Sequence, residues 1–187
     1  VITEEPSVEQ RVEQNKEEKY MIAEYAASLI KPGDFVYIDA GTTTGYMLNF
    51  LKNSKSVFVT NAVTHAKKLA LQGNKVILIE GELKGSTEAL VGGYAAASLK
   101  KFHFTKGFFG TNGLTKKAGF TTPDTSEALV KNKAMEQCKE CYVLADQSKF
   151  DKISPVTFQQ FGRATIIKES KPEGYMECEN IIVVRKN

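Results

Sequence analysis

The segment FVYIDAGTTTG, residues 35–45, decides the fold class of this chain. Its apolar start leads into an acidic residue, a glycine and three threonines, and the run YMLNFL follows at residues 46–51. An apolar run, a glycine-containing turn and a helix in this order are typical of a strand-to-helix connection in an α/β domain. The same turn can serve as a plain threonine helix cap or as a loop that holds an anion.

Strands and helices alternate along the rest of the chain. Helices are predicted at residues 7–30, 43–52, 63–71, 91–101 and 125–138, and strands at residues 35–39, 56–60, 76–80, 107–110, 141–146, 164–167 and 181–184. The strands are continuous apolar runs such as VFVT, VILI and YVLA, which indicates burial on both faces. This pattern predicts an α/β fold with a mostly parallel sheet flanked by helices.

Size and composition favour one domain with a substantial core, because 42% of the 187 residues are hydrophobic. The formal charge is only +3 and the basic residues are scattered, so charge alone does not predict nucleic-acid binding. No apolar run approaches the roughly 20 residues that a membrane span needs, and the start has no signal-peptide core. We therefore expect a cytoplasmic protein with no membrane partner.

Two loops are expected to meet at the edge of the sheet where ligands bind, beyond the carboxyl ends of parallel strands. In the first, Gly41 permits close approach of the backbone, and Thr42, Thr43 and Thr44 add hydroxyls to free amides. A helix terminus contributes only about 0.3–1 kcal/mol toward a nearby charge, so a phosphate would need a cation as well. The second loop, LADQSKF, offers Lys149 for that role.

A third loop, residues 110–124, leads to the same edge and into the next helix. Asp124 and Glu127 have capping-box spacing, and Glu127 and Lys131 form an i, i+4 pair. Structural roles alone would therefore account for these three side chains.

Metal and redox chemistry are not supported by the cysteine and histidine pattern. Cys138 and Cys141 form a single CxxC where a helix is predicted to end, whereas a redox pair needs a helix start and a zinc site needs more ligands. His65 and His103 stand alone, and the three cysteines are too few for a disulfide framework in a chain of this length. We expect no metal and no cofactor.

Taken together, these motifs resemble one family. The sequence is similar to the C-terminal sensor domain of DeoR-type bacterial transcription regulators, which shares a fold with ribose-5-phosphate isomerase and the CoA transferases. The resemblance runs in order through EQRVEQNKEEKYMIAEYAASLIKPGDFVYIDAGTTT, VTNA, EGELKGSTEALVGGYA, FFGTNGL, GFTTPDTSEALVKNKAM and YVLADQSKF. Residues at positions typical of the family in the first motif are Arg11, Asn15, Glu18, Lys19, Asp39, Gly41, Thr42, Thr43 and Thr44.

The resemblance implies a domain organisation. Regulators of this type carry an N-terminal winged helix-turn-helix that binds DNA, and we expect that module to be absent from this chain. Residues 1–30 would then be a linker and a helix, and residues 31–187 the effector-binding domain. Operator DNA is expected as a partner through the missing domain, and the repressor is expected to be a homo-oligomer.

The resemblance also implies a sugar phosphate effector. Fructose 1-phosphate is the first candidate, and a lactose or tagatose 6-phosphate type of repressor is the alternative. The phosphate would contact the threonine loop and Lys149, and the sugar hydroxyls would face polar residues of the other loops. The residues expected in the site are Asp39, Gly41, Thr42, Thr43, Thr44, Asn61, Lys84, Asn112, Gly113, Asp124, Glu127 and Lys149.

The isomerase relatives keep a competing hypothesis open. Isomerisation needs a carboxylate base to move a proton beside a carbonyl, and this chain has Asn112 where the isomerases have an acidic residue, although Glu127 remains. The family's usual glycine pair after the third strand is Glu80-Gly81 here. The loss of the acidic residue at Asn112 favours binding without turnover, so no catalytic residue is expected, and the change at Glu80-Gly81 means that no effector contact is assigned to that turn. A purely structural dimerisation module is the third possibility.

Overall fold

The computed structural model describes residues 8–184, with side chains described from residue 15 onward. Within that range the α-helices are α1 (Val8–Ser28), α2 (Thr42–Met47), α3 (Val63–Leu71), α4 (Gly92–Ser98) and α5 (Thr125–Glu136). Short 3-10 turns continue α2 at Leu48–Phe50 and α4 at Leu99–Lys101. Across these residues, no helix combines the length and apolar character needed to cross a membrane.

A parallel sheet forms the centre of the fold. The β-strands of the described range are β1 (Phe35–Ile38), β2 (Val57–Thr60), β3 (Lys75–Leu78), β4 (Glu82–Lys84), β5 (Ala89–Val91), β6 (Phe104–Phe109), β7 (Gly113–Thr115), β8 (Gly119–Thr122), β9 (Cys138–Leu144), β10 (Val156–Gln159), β11 (Thr165–Lys168) and β12 (Ile181–Val183). Seven of them lie in the order β12-β11-β9-β6-β1-β2-β3, and each neighbouring pair is parallel. The predicted α/β fold with a mostly parallel sheet is confirmed.

Two hydrophobic clusters cover the two faces of this sheet. Successive side chains of a strand point to opposite faces, so Tyr37 of β1 lies in one cluster with Phe109 and with Val130 of α5. Val36 and Ile38 lie in the other cluster. Because β1 is buried on both sides, its sequence is continuously apolar rather than alternating.

Helix α1 packs against the second of these faces through one side of its surface. Its fully buried residues are Ile22, Ala23 and Ala26, and Ala27 is 7% exposed; this spacing places them on one helical face. The helix predicted at residues 7–30 agrees with α1 from Val8 to Ser28, but α1 ends two residues earlier than predicted, and residue 7 lies outside the described range. Tyr20 of the same helix is 38% exposed and contacts the rings of Tyr46 and Phe50.

Two small antiparallel sheets are absent from the sequence prediction. The hairpin β4–β5 forms one, and β10, β8 and β7 form the other. Their strands contain three or four residues, several of them glycine and threonine, so they lack the apolar runs that mark the main strands. They join loops to the carboxyl edge of the sheet, where isolated bridges pair Leu114 with Phe150 and Ala62 with Ala89.

Some predicted boundaries are wrong by a few residues. The helix predicted at residues 43–52 starts one residue earlier and becomes a 3-10 turn after Met47. The helix predicted at 125–138 ends at Glu136, and both Cys138 and Cys141 lie in β9. Local propensity does not set these ends, because strand pairing with β6 recruits Cys138 into the sheet.

The central strand β6 allows a test of how tightly the sheet is packed. A Cβ atom on Gly107 would lie 2.4 Å from Cys138 Sγ and 2.7 Å from Phe109 Cε2. We expect Gly107→Ala to lower the free energy of unfolding by about 1–3 kcal/mol through overpacking. Gly162→Ala is the matched control, because the space around Gly162 is open, and we expect a change within about 0.5 kcal/mol. Equal urea midpoints for the two variants would contradict this packing.

Candidate functional site

A cavity of about 590 Å³ opens at the carboxyl edge of the parallel sheet. It is bounded by the loops that follow β1, β2, β6 and β9, by the β4–β5 hairpin, by the start of α5 and by one residue of α1. The residues expected in the site that line it are Asp39, Gly41, Thr42, Thr43, Asn61, Lys84, Asn112, Asp124, Glu127 and Lys149. Residues far apart in the chain are therefore close together in the fold.

Thr44 and Gly113, also expected in the site, do not line the cavity. The buried Thr44 hydroxyl donates to the Asp39 carbonyl at 2.7 Å and lies 3.4 Å from His65 Nε2. Gly113 lies in β7, where a Cβ atom would come within 2.4 Å of the Lys152 carbonyl oxygen. Both residues therefore contribute to the packing of the loops and not to the surface of the cavity.

The threonine loop does not use a threonine as its helix cap. Gly41 is the N-cap of α2, at a φ of 145° that residues with a side chain rarely adopt, and no side chain caps the helix. Thr44 directs its hydroxyl to carbonyl groups instead. Gly41 and Thr42 are exposed beside the cavity, whereas Thr43 is 9% exposed. The first amides of α2 are therefore left without a side-chain acceptor.

A buried ion pair forms the floor of the cavity. Lys131 Nζ donates to Asp39 Oδ2 and, at 3.0 Å, to the Gly110 carbonyl. The Gly110 amide also donates to Asp39 Oδ2, at 3.2 Å. Asp39 is 1% exposed and Lys131 is 8% exposed. The ion pair connects the end of β1, the end of β6 and α5.

The predicted Glu127–Lys131 pair is wrong. Among the described ion pairs, Lys131 binds Asp39, and Glu127 is contacted by Lys84. Spacing along α5 permits an i, i+4 pair, but Lys131 points into the core, where Asp39 needs a counter-ion. Lys131 also lines the cavity, and sequence reasoning missed this because its partner lies 92 positions away.

Opposite the threonine loop, the hairpin and α5 are joined by polar contacts. Lys84 Nζ lies 2.7 Å from Asp124 Oδ2 and 3.3 Å from Glu127 Oε1, and the Thr87 hydroxyl donates to Glu127 at 3.2 Å. Asp124 is the N-cap of α5, accepting from the Ser126 amide at 2.8 Å. The Lys84 hydrogen bond, with the help of Ser126, lowers the pKa of Asp124 to about 2.

Two lysines line the cavity near the threonine loop, Lys149 from the turn after β9 and Lys19 from α1. Burial, and then repulsion by neighbouring lysines including Lys19, lower the pKa of Lys149, against the attraction of Asp146. No described carboxylate lies within ion-pair distance of either ammonium group. Lys19 was not among the expected site residues. It stands at a position typical of the family, and that resemblance could have identified it as a site residue.

Metal chemistry has no support within the described residues. No group of three or more His, Cys, Asp or Glu side chains there could hold a metal ion. His65 lines the cavity, and burial lowers its pKa, which favours the neutral ring. Cys138 and Cys141 are free and buried, and their thiols donate to carbonyl groups near the end of α5.

A family model described as the DeoR C terminal sensor domain matches residues 14–170. This chain belongs to that family. The sensor domain is 45% identical to a protein of Bacillus subtilis (strain 168) named as an uncharacterized HTH-type transcriptional regulator FruR, over 97% of this chain and 74% of that protein. It is 37% identical to the HTH-type transcriptional regulator IolR of the same organism, over 88% and 66% of the two chains.

A third relative is the lactose phosphotransferase system repressor of Staphylococcus aureus (strain NCTC 8325 / PS 47), which is 34% identical over 80% of this chain and 61% of that protein. The sensor domain thus spans between about three fifths and three quarters of the lengths of these relatives. These relatives are named as transcriptional regulators or repressors, which is consistent with a sensor domain that binds without turnover.

Solved structures with the same fold include enzymes and translation factors. Ribose 5-phosphate isomerase A from Methanocaldococcus jannaschii superposes with a TM-score of 0.54 at 14% identity, covering 73% of this chain and 55% of that one. The translation initiation factor eIF-2B of Pyrococcus horikoshii OT3 also gives a TM-score of 0.54, at 18% identity, covering 77% and 51%. These likenesses show the fold alone, and it is the ribose-5-phosphate isomerase-like fold that the sequence predicts.

The buried ion pair predicts a large effect of one substitution. Lys131→Met would leave the Asp39 carboxylate buried without its counter-ion, and we expect the free energy of unfolding to fall by about 3–5 kcal/mol. The matched control is Lys133→Met on the same helix, because Lys133 and Glu136 form a partly exposed pair, whose loss costs about 0–1 kcal/mol. Urea denaturation measures both.

A second variant separates lost charge pairing from lost packing. The double variant Asp39→Asn with Lys131→Met leaves no buried charge unpaired, so we expect it to recover part of the stability lost in Lys131→Met. If Lys131→Met unfolded at the same urea concentration as Lys133→Met, the ion pair would not stabilise the site.

Proposed function

We propose that this chain is the effector-sensing domain of a repressor of sugar catabolism and that its effector is a sugar phosphate. The observation that carries the proposal is the pair of cavity lysines, Lys19 and Lys149, which have no described carboxylate partner and lie at the same cavity as the uncapped start of α2. Ammonium groups and free amides together form a strong environment for a phosphate. The opposite wall carries the carboxylates and amides that a sugar needs.

The phosphate would bind at the end of the cavity near the threonine loop. Its oxygens would accept hydrogen bonds from the backbone amides of Gly41, Thr42 and Thr43 and from the ammonium group of Lys149. A six-residue helix such as α2 supplies only a weak field, since its terminus contributes about 0.3–1 kcal/mol. Lys149 is therefore the main source of affinity in this proposal.

The sugar would lie between the hairpin and α5. Asp124, Glu127 and Lys84 present charged groups there, and the exposed Asn112 faces the same cavity. Asp39 and Asn61 are held by protein groups: Asn61 accepts from the Ala40 amide at 3.2 Å and donates to a carbonyl of the hairpin. In this proposal they shape the floor, and the hairpin side chains select the hydroxyl pattern.

The carboxylates of the cavity support binding without turnover. A general base must be free to accept a proton from the substrate. Asp39 is bound by Lys131, and Glu127 accepts hydrogen bonds from Lys84 and Thr87. Asn112, which stands in the acidic motif of the isomerases, cannot ionise. The site therefore suits a receptor better than an isomerase.

Fructose 1-phosphate is our first candidate for the effector. The relative with 45% identity carries the name FruR, and the lactose phosphotransferase system repressor at 34% identity makes tagatose 6-phosphate the alternative. Both are sugar phosphates of similar size, so the choice rests on the relatives' names and not on the cavity.

The regulatory mechanism we propose is a population shift in a longer protein. Residues 1–30 would be a linker and helix to an N-terminal winged helix-turn-helix, residues 31–187 the effector domain, and operator DNA the partner of the missing module. The repressor would be a homo-oligomer in the cytoplasm. The effector would prefer one arrangement of the subunits, and it can shift the equilibrium only by its difference in affinity for the two states.

Calorimetry and thermal unfolding test the effector proposal directly. We expect fructose 1-phosphate, but not fructose, to bind, and a ligand at 100 times its Kd to stabilise the domain by about 2.7 kcal/mol. A charge-assisted hydrogen bond contributes about 1.5–3 kcal/mol, so Lys149→Ala should weaken binding by about 10- to 150-fold. Lys152→Ala, at an exposed lysine of the same loop that does not line the cavity, should bind as the wild type does. Failure of all phosphorylated sugars to bind would refute the proposal.

The pH dependence of binding should show two limbs. A phosphate monoester loses its second charge below a pKa of about 6, so affinity should fall as the pH drops through that value. At the alkaline end, affinity should fall as Lys149 loses its proton, at a pH below its ordinary pKa of 10.5 because burial lowers that pKa. Since arginine stays protonated, Lys149→Arg should remove the alkaline limb. Calorimetry between pH 5 and pH 10 that gave a flat profile would exclude a charged phosphate contact.

A further inference from the structure

Helix α1 has two differently built halves. From Ile22 onward its buried residues anchor it in the core. Residues 15–19 are all exposed or half-buried, so apolar packing does not hold this part of the helix. Here Lys19 lines the cavity that Lys149 of the 3-10 turn Gln147–Lys149 also lines, and Glu18 precedes it in the chain. Between residue 15 and the ring contacts of Tyr20, the side chains of α1 that approach the sheet edge are therefore charged or polar.

Glu18 approaches groups of its own sign. Asp146 is 1% exposed; its Oδ1 accepts from the Ser148 amide at 2.8 Å, but its Oδ2 is buried without a partner among the described residues. Glu169 Oε1 accepts from the Gln147 amide, and its Oε2 is likewise buried without a described partner. Burial, then Glu169 and Asp146, raise the pKa of Glu18, with a smaller contribution from Glu17.

One buried lysine opposes these carboxylates. Lys168 is 0% exposed, and its Nζ lies 3.1 Å from Glu169 Oε1 and 3.1 Å from the Ser170 hydroxyl. Its ammonium group also lies 5.2 Å from the centre of the Phe150 ring. It lowers the pKa of Glu18, but less than Glu169 and Asp146 raise it. The carboxylate side of the α1 contact is therefore repulsive overall.

Lys19, like Glu18, lies near a side chain of its own charge. It shares the cavity with Lys149, and the two ammonium groups repel each other. The carboxylates of Glu169 and of Asp146, the N-cap of the turn Gln147–Lys149, thus act on Glu18, and the ammonium group of Lys149 acts on Lys19. Without an anion, both neighbouring positions of α1 face charges of their own sign.

We infer that α1 is the element that reports the bound anion: a phosphate between Lys19 and Lys149 draws the first half of α1 onto the turn Gln147–Lys149, and its removal loosens that half. This inference rests on the function proposed above and identifies α1 as the element that would transmit the binding signal. The helix extends from Lys19 back to Val8, about 17 Å at 1.5 Å per residue. A change in how this segment is held is thereby carried to the amino end of the domain.

Hydrogen exchange measures the inferred effect. In the wild-type chain, fructose 1-phosphate or inorganic phosphate should slow exchange of the amides of residues 12–22 by about tenfold, because opening of this segment would break the lysine–phosphate contacts. Lys19→Ala should lower the affinity by about tenfold and abolish this slowing, while the probe still protects residues 41–47. Lys16→Ala is the matched control, since Lys16 is exposed on the same helix and does not line the cavity.

A ligand-free variant tests the repulsion by itself. Glu18→Gln removes the charge that faces Glu169 and Asp146, and we expect exchange in residues 12–22 to slow severalfold without any anion. Glu24→Gln, at an exposed position of α1, should leave that exchange unchanged. Equal exchange in the two variants would overturn the charge argument.

The outcomes separate this inference from the proposed function. If fructose 1-phosphate binds the wild type but Lys19→Ala binds equally well, or α1 exchange is unaffected, the inference is wrong and the sensor proposal stands. If neither fructose 1-phosphate, tagatose 6-phosphate nor inorganic phosphate binds the wild type, the proposed function fails and the inference fails with it.

Discussion

The buried ion pair between Asp39 and Lys131 is the contact on which the arrangement of the site depends. Removing two charges from water costs several kcal/mol each, and their attraction repays this only when further hydrogen bonds satisfy them. Here Gly110 supplies those bonds, donating its amide to Asp39 and accepting from Lys131. The three groups come from the ends of β1 and β6 and from α5, so one interaction sets the relative positions of three walls of the cavity.

Charged side chains are distributed unevenly around the cavity whose floor this ion pair forms. On the hairpin side, Lys84 is matched by Asp124 and Glu127. On the side of the threonine loop, Lys19 and Lys149 have no described carboxylate within ion-pair distance. Two half-buried lysines of like charge at one cavity do not stabilise the domain by themselves, which is why we propose that an anion binds between them. Lys19 belongs to α1 and Lys149 to the turn after β9, so in our proposal the bound anion would couple this helix to the cavity.

Much of the fold follows from local sequence, and the site follows only in part. Continuous apolar runs such as FVYI and VFVT predict parallel strands, because a strand covered on both faces has no polar side. Polar residues directly after such strands were correctly expected to gather at one edge. The short strands β4, β5, β7, β8 and β10 have no such pattern, because strands of three or four residues outside the central sheet do not need continuous apolar runs. Thr44 shows the same limit: its hydroxyl is buried against the Asp39 carbonyl, which no local motif reveals.

The sequence by itself determined the α/β class, the order of the main strands and helices, and the threonine and lysine loops that meet at the carboxyl edge, because these depend on periodicity and on the direction of parallel strands. Only the tertiary structure decided which charges pair. Lys131 is spaced to bind Glu127 but binds Asp39, because the fully buried Asp39 needs a counter-ion whereas the half-buried Glu127 is contacted by Lys84. It also decided that Lys19 joins the cavity, since the packing of α1 against one face of the sheet, and not the spacing of residues along α1, brings Lys19 to the cavity that Lys149 also lines.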